Sequence, residues 1–185
     1  DGSFDYDNIA KAINEKTKLV TIQRSKGYQT RPTLSVTRIG ELISFIKKIK
    51  PDVICMVDNC YGEFVEEIEP TDVGADMVVG SLIKNPGGGL APIGGYIAGK
   101  KELVELCAYR LTSPGIGKEA GATFGQNRNI IKGLFYAPHT VKESLKTAIF
   151  AASLFELLGF SVNPKSDAKR FDIIQVIELK AKEKL

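Results

Sequence analysis

Three polar clusters in this sequence each follow a short run of apolar residues, and they hold the side chains best suited to chemistry. The clusters occupy residues 23–25, 58–61 and 81–84. The apolar runs before them are typical of buried strands. In an open sheet of parallel strands, ligands bind beyond the carboxyl ends of the strands. The pattern therefore predicts that the three clusters lie at one edge of a sheet and form one site.

Lys84 is the best candidate nucleophile, because it follows a predicted strand and precedes the glycines at 87–89. These glycines leave room for the lysine arm and a ligand, so the amine could reach a carbonyl compound. A partly desolvated site would lower the pKa of the amine and allow it to attack. The alternative is a solvated loop lysine beside a flexible turn, which is the commoner outcome for a short motif taken alone.

Asp58 ends an apolar run, and a carboxylate buried there needs a partner. A protonated pyridine nitrogen is one such partner, and the pair keeps the ring electron-poor. An ordinary turn or capping aspartate is the alternative for an isolated residue. The catalytic interpretation becomes stronger when an aspartate after one strand is combined with the pattern Ser81-x-x-Lys84 after the next.

A longer pattern surrounds these residues. Asp58-Asn59, Gly74-Ala75-Asp76 and Ser81-x-x-Lys84 together resemble the fold type I pyridoxal-phosphate (PLP) enzymes, in particular the cystathionine lyases and methionine γ-lyases. Longer blocks, at residues 22–28, 57–66, 80–89 and 110–117, are similar to the methionine γ-lyase-like "aluminium resistance protein" family. The resemblance extends from about residue 7 to the end of the sequence.

The resemblance implies a role for each matching residue. Lys84 would hold PLP as a Schiff base and would then act as the general base at the substrate α-carbon. Asp58 would pair with the pyridine nitrogen, and Ser81 would contact the cofactor phosphate. Asn59 and Tyr61 would lie beside the cofactor, although the position of Tyr61 suits a packed aromatic side chain equally well.

Arg24 and Ser25 are the candidates for substrate binding, because they lie in the loop after the first predicted strand. Either Arg24 or Arg31 could pair with a substrate carboxylate. A surface arginine is the alternative, and it is the favoured interpretation of Arg31. Two departures from the lyases leave the substrate open. Ile83 stands where they have a hydroxyl residue, and Asn85 with the glycines after it replaces their Tyr and Gly-His.

Alternating strands and helices predict an α/β fold with an open, mostly parallel sheet. Strands are predicted at residues 19–22, 53–57, 76–80, 93–98, 160–162 and 173–177. Helices are predicted after the caps Asp7 and Thr37, at 101–111, and from Pro138 to Leu158. By resemblance, residues 1–137 form part of the large PLP-binding domain of a fold type I transferase. Residues 138–185 form the linking helix and the start of a small α/β C-terminal domain.

The composition excludes several function classes. The net charge of +3 is spread along 185 residues without a basic block, so neither nucleic acid nor an anionic membrane is an expected partner. No apolar stretch approaches the ~18 residues of a membrane span. Three cysteines without metal-like spacing and one histidine predict no metal site, and the acidic residues at 63–69 are interpreted as a solvated face. The expected compartment is a reducing cytoplasm.

Together these features predict a PLP-dependent carbon–sulfur lyase that acts on a small sulfur amino acid, of the cystathionine β-lyase or methionine γ-lyase type. An aminotransferase, a decarboxylase and a non-catalytic stress or aluminium resistance protein of the same fold remain open. The resemblance also implies a homodimer or homotetramer. It places the phosphate-binding glycine turn, the ring-stacking aromatic and the substrate-carboxylate arginine outside these 185 residues, so the chain alone is expected to be inactive.

Overall fold

The computed structural model describes residues 3–184 and contains a four-stranded sheet in the order β1-β2-β3-β4. The strands are β1 (Leu19–Gln23), β2 (Ile54–Asp58), β3 (Met77–Ser81) and β4 (Gly95–Gly99). β1, β2 and β3 are parallel, whereas β4 pairs antiparallel with β3. The α/β fold with a mostly parallel sheet is therefore confirmed.

The direction of β4 follows from the connection that precedes it. A parallel neighbour needs a crossover of a dozen or more residues, which is usually a helix. The segment between β3 and β4 contains only a short 3-10 turn, Asn85–Gly87. The chain therefore re-enters the sheet from the edge at which β3 ended, and β4 runs antiparallel to β3.

Helix α2 (Val36–Ile49) covers the main core. Its buried residues recur every three or four positions, which is the helical period: Val36, Ile39, Leu42, Ile43 and Ile46. They pack against buried side chains of the strands, including Ile22, Val57 and Val78. The helix begins after Ser35, whose hydroxyl accepts a hydrogen bond from the Arg38 N–H, so the predicted cap at Thr37 is wrong by two positions.

Two further helices lie near their predicted positions. Helix α1 (Tyr6–Ala12) is capped by Asp5, whose side chain accepts from the Asn8 N–H, and the predicted cap Asp7 lies in its first turn. Helix α3 (Lys101–Leu111) has the predicted bounds.

Helix α4 (Asn127–Leu157) begins eleven residues before its predicted start and contains Pro138 in its interior. Tertiary packing explains the difference. A Cβ atom at Gly133 would overlap the carbonyl oxygen of Gly87, and one at Gly88 would overlap the Gly133 carbonyl oxygen. The first half of α4 is thus pressed against the glycine turn after Lys84, and this contact outweighs the cost of the proline.

The chain ends in a hairpin of β5 (Ser161–Asn163) and β6 (Val176–Glu178), which pair antiparallel. Gly159 has a φ of 82° and ends α4 as expected for a glycine beyond a helix terminus. The predicted division at 137/138 falls inside α4, and the two-domain organisation stays a prediction. In the described range 3–184, no helix is both long enough and apolar enough to span a membrane.

Candidate active site

The sheet register brings the polar clusters to one edge. Asp58 is the last residue of β2 and lies opposite Gln23 of β1 and Val79 of β3. Ser81 is the last residue of β3, and Lys84 follows three positions later. Since these three strands are parallel, the ends that carry the clusters point the same way.

Cys60 lies between Asp58 and Lys84. Its backbone N–H donates to Oδ1 of Asp58 at 3.1 Å. Burial raises the pKa of the Cys60 thiol, a hydrogen bond to Asp58 and the charge of Asp58 raise it further, and the charge of Lys84 lowers it. The thiol therefore interacts with both the carboxylate and the amine, whose strands end at the same edge of the sheet.

The Lys84 amine lies over the ring of Tyr61, with Nζ 4.3 Å from the ring centroid. Partial burial lowers its pKa, but interactions with Cys60 and Tyr61 act in the opposite direction, and the net pKa is raised. The predicted lowering of this pKa is therefore wrong, because electron-rich neighbours outweigh desolvation. At neutral pH the amine carries a proton, which it must lose before it can attack a carbonyl carbon.

Arg24 does not occupy the substrate-binding position that was predicted for it. Its side chain is fully buried. Nη1 donates to Oδ1 of Asn59 at 2.8 Å and lies 3.3 Å from Glu69, while Nη2 donates to Glu66 at 2.7 Å. A Cβ atom at Gly62 would overlap the guanidinium group, so the chain closes tightly over it. With both carboxylates already bound, Arg24 anchors the loop after β2 and is not available to a substrate carboxylate.

Ser25 and Arg31 are also bound within the protein. The buried Ser25 hydroxyl donates to Oδ2 of Asp172 at 2.8 Å. Nη2 of Arg31 donates to the carbonyl oxygens of Ser25 and Gln23, at 2.6 and 3.0 Å. The structure therefore does not support the predicted substrate contact at Ser25, because the hydroxyl faces Asp172. Arg31 holds the backbone of its own loop, which agrees with the interpretation favoured for it.

Glu67 is exposed, but Glu63, Glu66 and Glu69 do not form the predicted solvated face. Glu63 is 3% exposed, and Glu66 and Glu69 flank the buried guanidinium of Arg24. Asn59 completes this network, because its Nδ2 donates to Oε2 of Glu69 at 2.9 Å. The signal that could have revealed the network is an arginine after β1 combined with several carboxylates after β2. The arginine and the carboxylates become neighbours only because β1 and β2 pair in parallel.

Glu63 lies behind the site. The Tyr96 hydroxyl donates to Oε1 of Glu63 at 2.8 Å, and Nδ2 of Asn85 donates to the Glu63 carbonyl oxygen at 3.0 Å. Both Glu63 and Tyr96 fill the space above Gly80, where a Cβ atom would overlap them. Burial raises the pKa of Glu63 to about 7. Burial, followed by the charge of Glu63, also raises the pKa of Tyr96.

The set of side chains fits PLP. Lys84 supplies an amine, Asp58 a carboxylate and Ser81 a hydroxyl, all of them partly exposed at the same edge of the sheet. A Cβ atom at Gly89 would contact nothing within 4 Å, so the loop after the lysine borders open space. Within residues 3–184, no group of three His, Cys, Asp or Glu side chains is placed to hold a metal ion. The three groups match a cofactor that carries a carbonyl carbon, a ring nitrogen and a phosphate.

β2 and β3 are parallel neighbours, with Asp58 at the end of the first strand and Lys84 three residues after the end of the second. The family model "Methionine gamma-lyase" matches residues 1–185, and the chain belongs to that family. This confirms the resemblance drawn from the sequence.

Individual relatives support this family assignment. The chain is 57% identical over 185 residues to the uncharacterized protein YnbB of Bacillus subtilis, covering 100% of this chain and 44% of the relative. It is 51% identical to the structure of a carbon-sulfur lyase involved in aluminum resistance from Clostridium novyi, with a TM-score of 0.91, covering 97% of this chain and 43% of that one. It is 27% identical over 122 residues to an L-methionine gamma-lyase of Treponema denticola, covering 65% of this chain and 28% of the relative. The chain thus spans less than half the length of each.

Proposed function

We propose that this chain carries the lysine-bearing part of a PLP-dependent carbon–sulfur lyase that acts on a small sulfur amino acid, of the cystathionine or methionine type. The observation that carries the proposal is that Nζ of Lys84 lies 4.3 Å from the ring of Tyr61, in the loop directly after Asp58. A carboxylate and an amine at one edge of the sheet can bind two ends of one small ring. The family match and the Clostridium relative support the lyase reaction over other PLP reactions.

PLP, when bound, supplies an electron-poor ring that stabilises negative charge at the substrate α-carbon. The residues that would hold it are Asp58 at the ring nitrogen, Ser81 at the phosphate and Lys84 at the carbonyl carbon. Asp58 would pair with the protonated ring nitrogen and so keep the ring electron-poor. Cys60 orients Asp58, since its backbone N–H fixes one carboxylate oxygen.

Lys84 would move the protons of the reaction. As a free amine, Nζ takes the proton from the substrate α-carbon and delivers a proton to the departing sulfur. The Tyr61 ring holds Nζ in place at 4.3 Å while it does so. Because the pKa of Lys84 is raised in the protein alone, its ammonium form must lose a proton before Nζ can react with the carbonyl carbon of the cofactor.

For the whole protein we infer a cytoplasmic homodimer or homotetramer. The net charge of these 185 residues is spread evenly, so it gives no reason to expect nucleic acid or a membrane as a partner. The phosphate-binding turn, the stacking aromatic and the substrate-carboxylate arginine would come from outside residues 1–185. The share of the relatives that the chain covers is consistent with this, because it leaves more than half of each unaccounted for.

The test uses the full-length protein. Borohydride reduction followed by peptide mass spectrometry should locate a pyridoxyl group on Lys84, and the variant Lys84→Ala should lose both this label and the visible absorbance of the bound cofactor. The exposed Lys101→Ala variant is the matched control and should keep both. A label on any other lysine would overturn the assignment of Lys84.

The reaction is tested separately with cystathionine and methionine. A lyase releases a keto acid together with ammonia and a thiol in equal amounts. A keto acid without free ammonia would show an aminotransferase instead. Bound cofactor without turnover on either amino acid would favour a non-catalytic resistance protein.

A further inference from the structure

Residues 172 and 173, which precede β6, contact both loops that carry the candidate active site. The buried Asp172 carboxylate accepts from the hydroxyls of Ser25 and Thr33, at 2.8 and 2.6 Å. Both hydroxyls belong to the loop between β1 and α2. The Ile173 N–H donates to the carbonyl oxygen of Tyr61, in the loop after β2, at 3.2 Å. Two consecutive residues therefore join the loops that follow neighbouring strands.

The Asp172 carboxylate is held through both of its oxygens. Oδ2 accepts from the two hydroxyls, and Oδ1 accepts from the Ile174 N–H at 3.0 Å. The residue is 3% exposed, so little water competes for these bonds. A buried carboxylate has to be satisfied by donors, and leaving it without one costs more than an ordinary hydrogen bond contributes. Asp172 is therefore held firmly, and the chain runs directly from it into Ile173.

The backbone of Tyr61 depends on neighbouring contacts. Its φ is 70°, in the left-handed region that residues other than glycine rarely adopt. Such a conformation persists only where the surrounding structure holds it. The Ile173 N–H holds the Tyr61 carbonyl oxygen, and the next residue, Gly62, packs tightly against Arg24. The direction of the Tyr61 side chain therefore depends in part on the segment before β6.

The Tyr61 ring contacts the proposed catalytic amine. Its centroid lies 4.3 Å from Nζ of Lys84, a distance at which the electron-rich face of an aromatic ring attracts a cation. Burial lowers the pKa of Lys84, whereas Cys60 and Tyr61, the titratable groups beside the amine, raise it. A shift of the Tyr61 backbone would therefore change both the position of the amine and how readily it gives up its proton.

We propose that Asp172 is a positioning residue, which keeps the Tyr61 ring against Nζ of Lys84. It acts through Ile173 and the Tyr61 backbone. Its relevance to catalysis rests on the proposed function, in which Lys84 is the cofactor-binding amine. Docking of the segment before β6 then sets the position of that amine.

The charge of Asp172 is a competing explanation, and one variant separates it from positioning. Burial lowers the pKa values of Lys26 and Arg170, and the charge of Asp172 raises both. Asp172→Asn removes this charge, but it keeps an oxygen for the Ile174 N–H and gains an amide that can donate to the two hydroxyl oxygens. It should therefore preserve the position of the Tyr61 ring, whereas Asp172→Ala loses all three bonds.

Acylation of Lys84 tests the proposal without the cofactor. The full-length protein, freed of cofactor, is labelled with acetic anhydride, and peptide mass spectrometry gives the rates at Lys84 and at the exposed Lys101, the internal control. The rate at about pH 8 divided by the limiting rate at about pH 11 reports the fraction of free amine and cancels differences in access.

The ratio at Lys84 should rise when the ring is lost or displaced. Tyr61→Leu should raise it about three- to fivefold, because the ammonium form loses the attraction of the ring. Asp172→Ala should raise it about twofold, since it weakens this attraction without removing it. Asp172→Asn should stay close to the unsubstituted protein. The matched control is Asp167→Ala, at an exposed position of the same segment, and it should leave the ratio unchanged.

A double-mutant cycle tests the route through Tyr61. Asp172→Ala should add nothing in the Tyr61→Leu protein. An unchanged ratio in Asp172→Ala, an equal rise in both backgrounds, or an equal effect of Asp172→Asn would overturn the proposal. Ser25→Ala, which removes one donor of the three, takes the place of Asp172→Ala if that variant does not fold. The pyridoxyl label on Lys84 is measured separately, so a failure here is distinguishable from a failure of the proposed lyase.

Discussion

Glu63 connects the loop after β2 both to β4 and to the turn after Lys84. Its carboxylate accepts from Tyr96 of β4, and its carbonyl oxygen accepts from Asn85, the residue after Lys84. The second carboxylate oxygen, Oε2, is buried and has no hydrogen-bond partner among residues 3–184. The side chain therefore favours its protonated form, and its pKa of about 7 brings the titration into the physiological range.

The variant Glu63→Gln should change how stability depends on pH. The folded pKa of about 7 lies above the ordinary value of 4.5, so the folded state keeps the proton to higher pH than the unfolded state does. The Glu63 carboxyl therefore makes the protein less stable as the pH rises from 4.5 through 7. The unfolding free energy of Glu63→Gln lacks this loss. Relative to that of the unsubstituted protein, it should therefore rise by about 3 kcal/mol between pH 4.5 and pH 8.

Urea unfolding at several pH values measures this difference. The exposed Glu67→Gln is the matched control, and its stability should follow that of the unsubstituted protein at every pH. An equal pH dependence in Glu63→Gln and the unsubstituted protein would show that Glu63 titrates near its ordinary value.

Replacing the buried Arg24 should destabilise the protein. Arg24→Ala should lower the free energy of unfolding by about 3–5 kcal/mol, because Glu66 and Glu69 lose their cation in a largely buried setting. Arg24→Lys should lose less, since it keeps the charge. The exposed Arg128→Ala should stay within about 0.5 kcal/mol of the unsubstituted protein. If Arg24 bound substrate instead, its replacement would raise KM with little loss of stability.

At the scale of elements, the contact between α4 and the turn after Lys84 decides where the lysine lies. Gly133 of α4 and Gly87 and Gly88 of the turn meet backbone to backbone. The Thr140 hydroxyl donates to the Gly88 carbonyl oxygen at 3.3 Å. Glycine is required at this contact because no side chain fits between the two segments. The contact also keeps α4 continuous through Pro138, whose missing N–H and ring favour a helix boundary when judged locally.

Gly133→Ala should destabilise the protein although alanine is the better helix former. The gain in helix propensity is about 1 kcal/mol, whereas forcing α4 away from a backbone carbonyl in a packed contact costs about 1–3 kcal/mol. The net loss should appear in urea unfolding, together with weaker PLP binding because the Lys84 loop moves. Thr147→Ala, on an exposed part of the same helix, should be close to neutral. A stabilised Gly133→Ala would contradict the close contact.

Asp76 anchors the opposite end of the sheet. Its carboxylate binds Lys47 of α2 at 2.8 Å, Lys100 before α3 at 2.7 Å and the Cys55 N–H of β2 at 2.8 Å. Burial alone would raise its pKa, but these bonds outweigh burial and lower the pKa to about 2. The acidic residue of the Gly-Ala-Asp motif is therefore structural, and it lies at the end of the sheet opposite to Asp58 and Lys84.

At the scale of the whole molecule, large apolar side chains on α4 face outward. Phe135, Phe150 and Leu157 are 79%, 68% and 84% exposed. Exposed apolar area of this kind marks a surface that another element covers. The chain accounts for 44% of the Bacillus relative. Both observations agree with the inference that the complete site needs residues beyond these 185.

The order of elements followed from the sequence because it depends on local periodicity. Apolar spacing placed α2, α3 and the three parallel strands to within a few residues, and the chemistry of the strand ends singled out Asp58 and Lys84. The start of α4 did not follow, because its first half is stabilised by a contact with Gly87 and Gly88, far away along the chain.

The sequence by itself determined the family, the α/β class and the pair of residues on which the proposed chemistry depends. Only the tertiary structure decided which charged side chains are available to a ligand. Arg24 meets carboxylates 42 and 45 positions away, and Ser25 meets Asp172 at a separation of 147. Burial and pairing over such separations arise from strand pairing and loop docking, which no local pattern encodes.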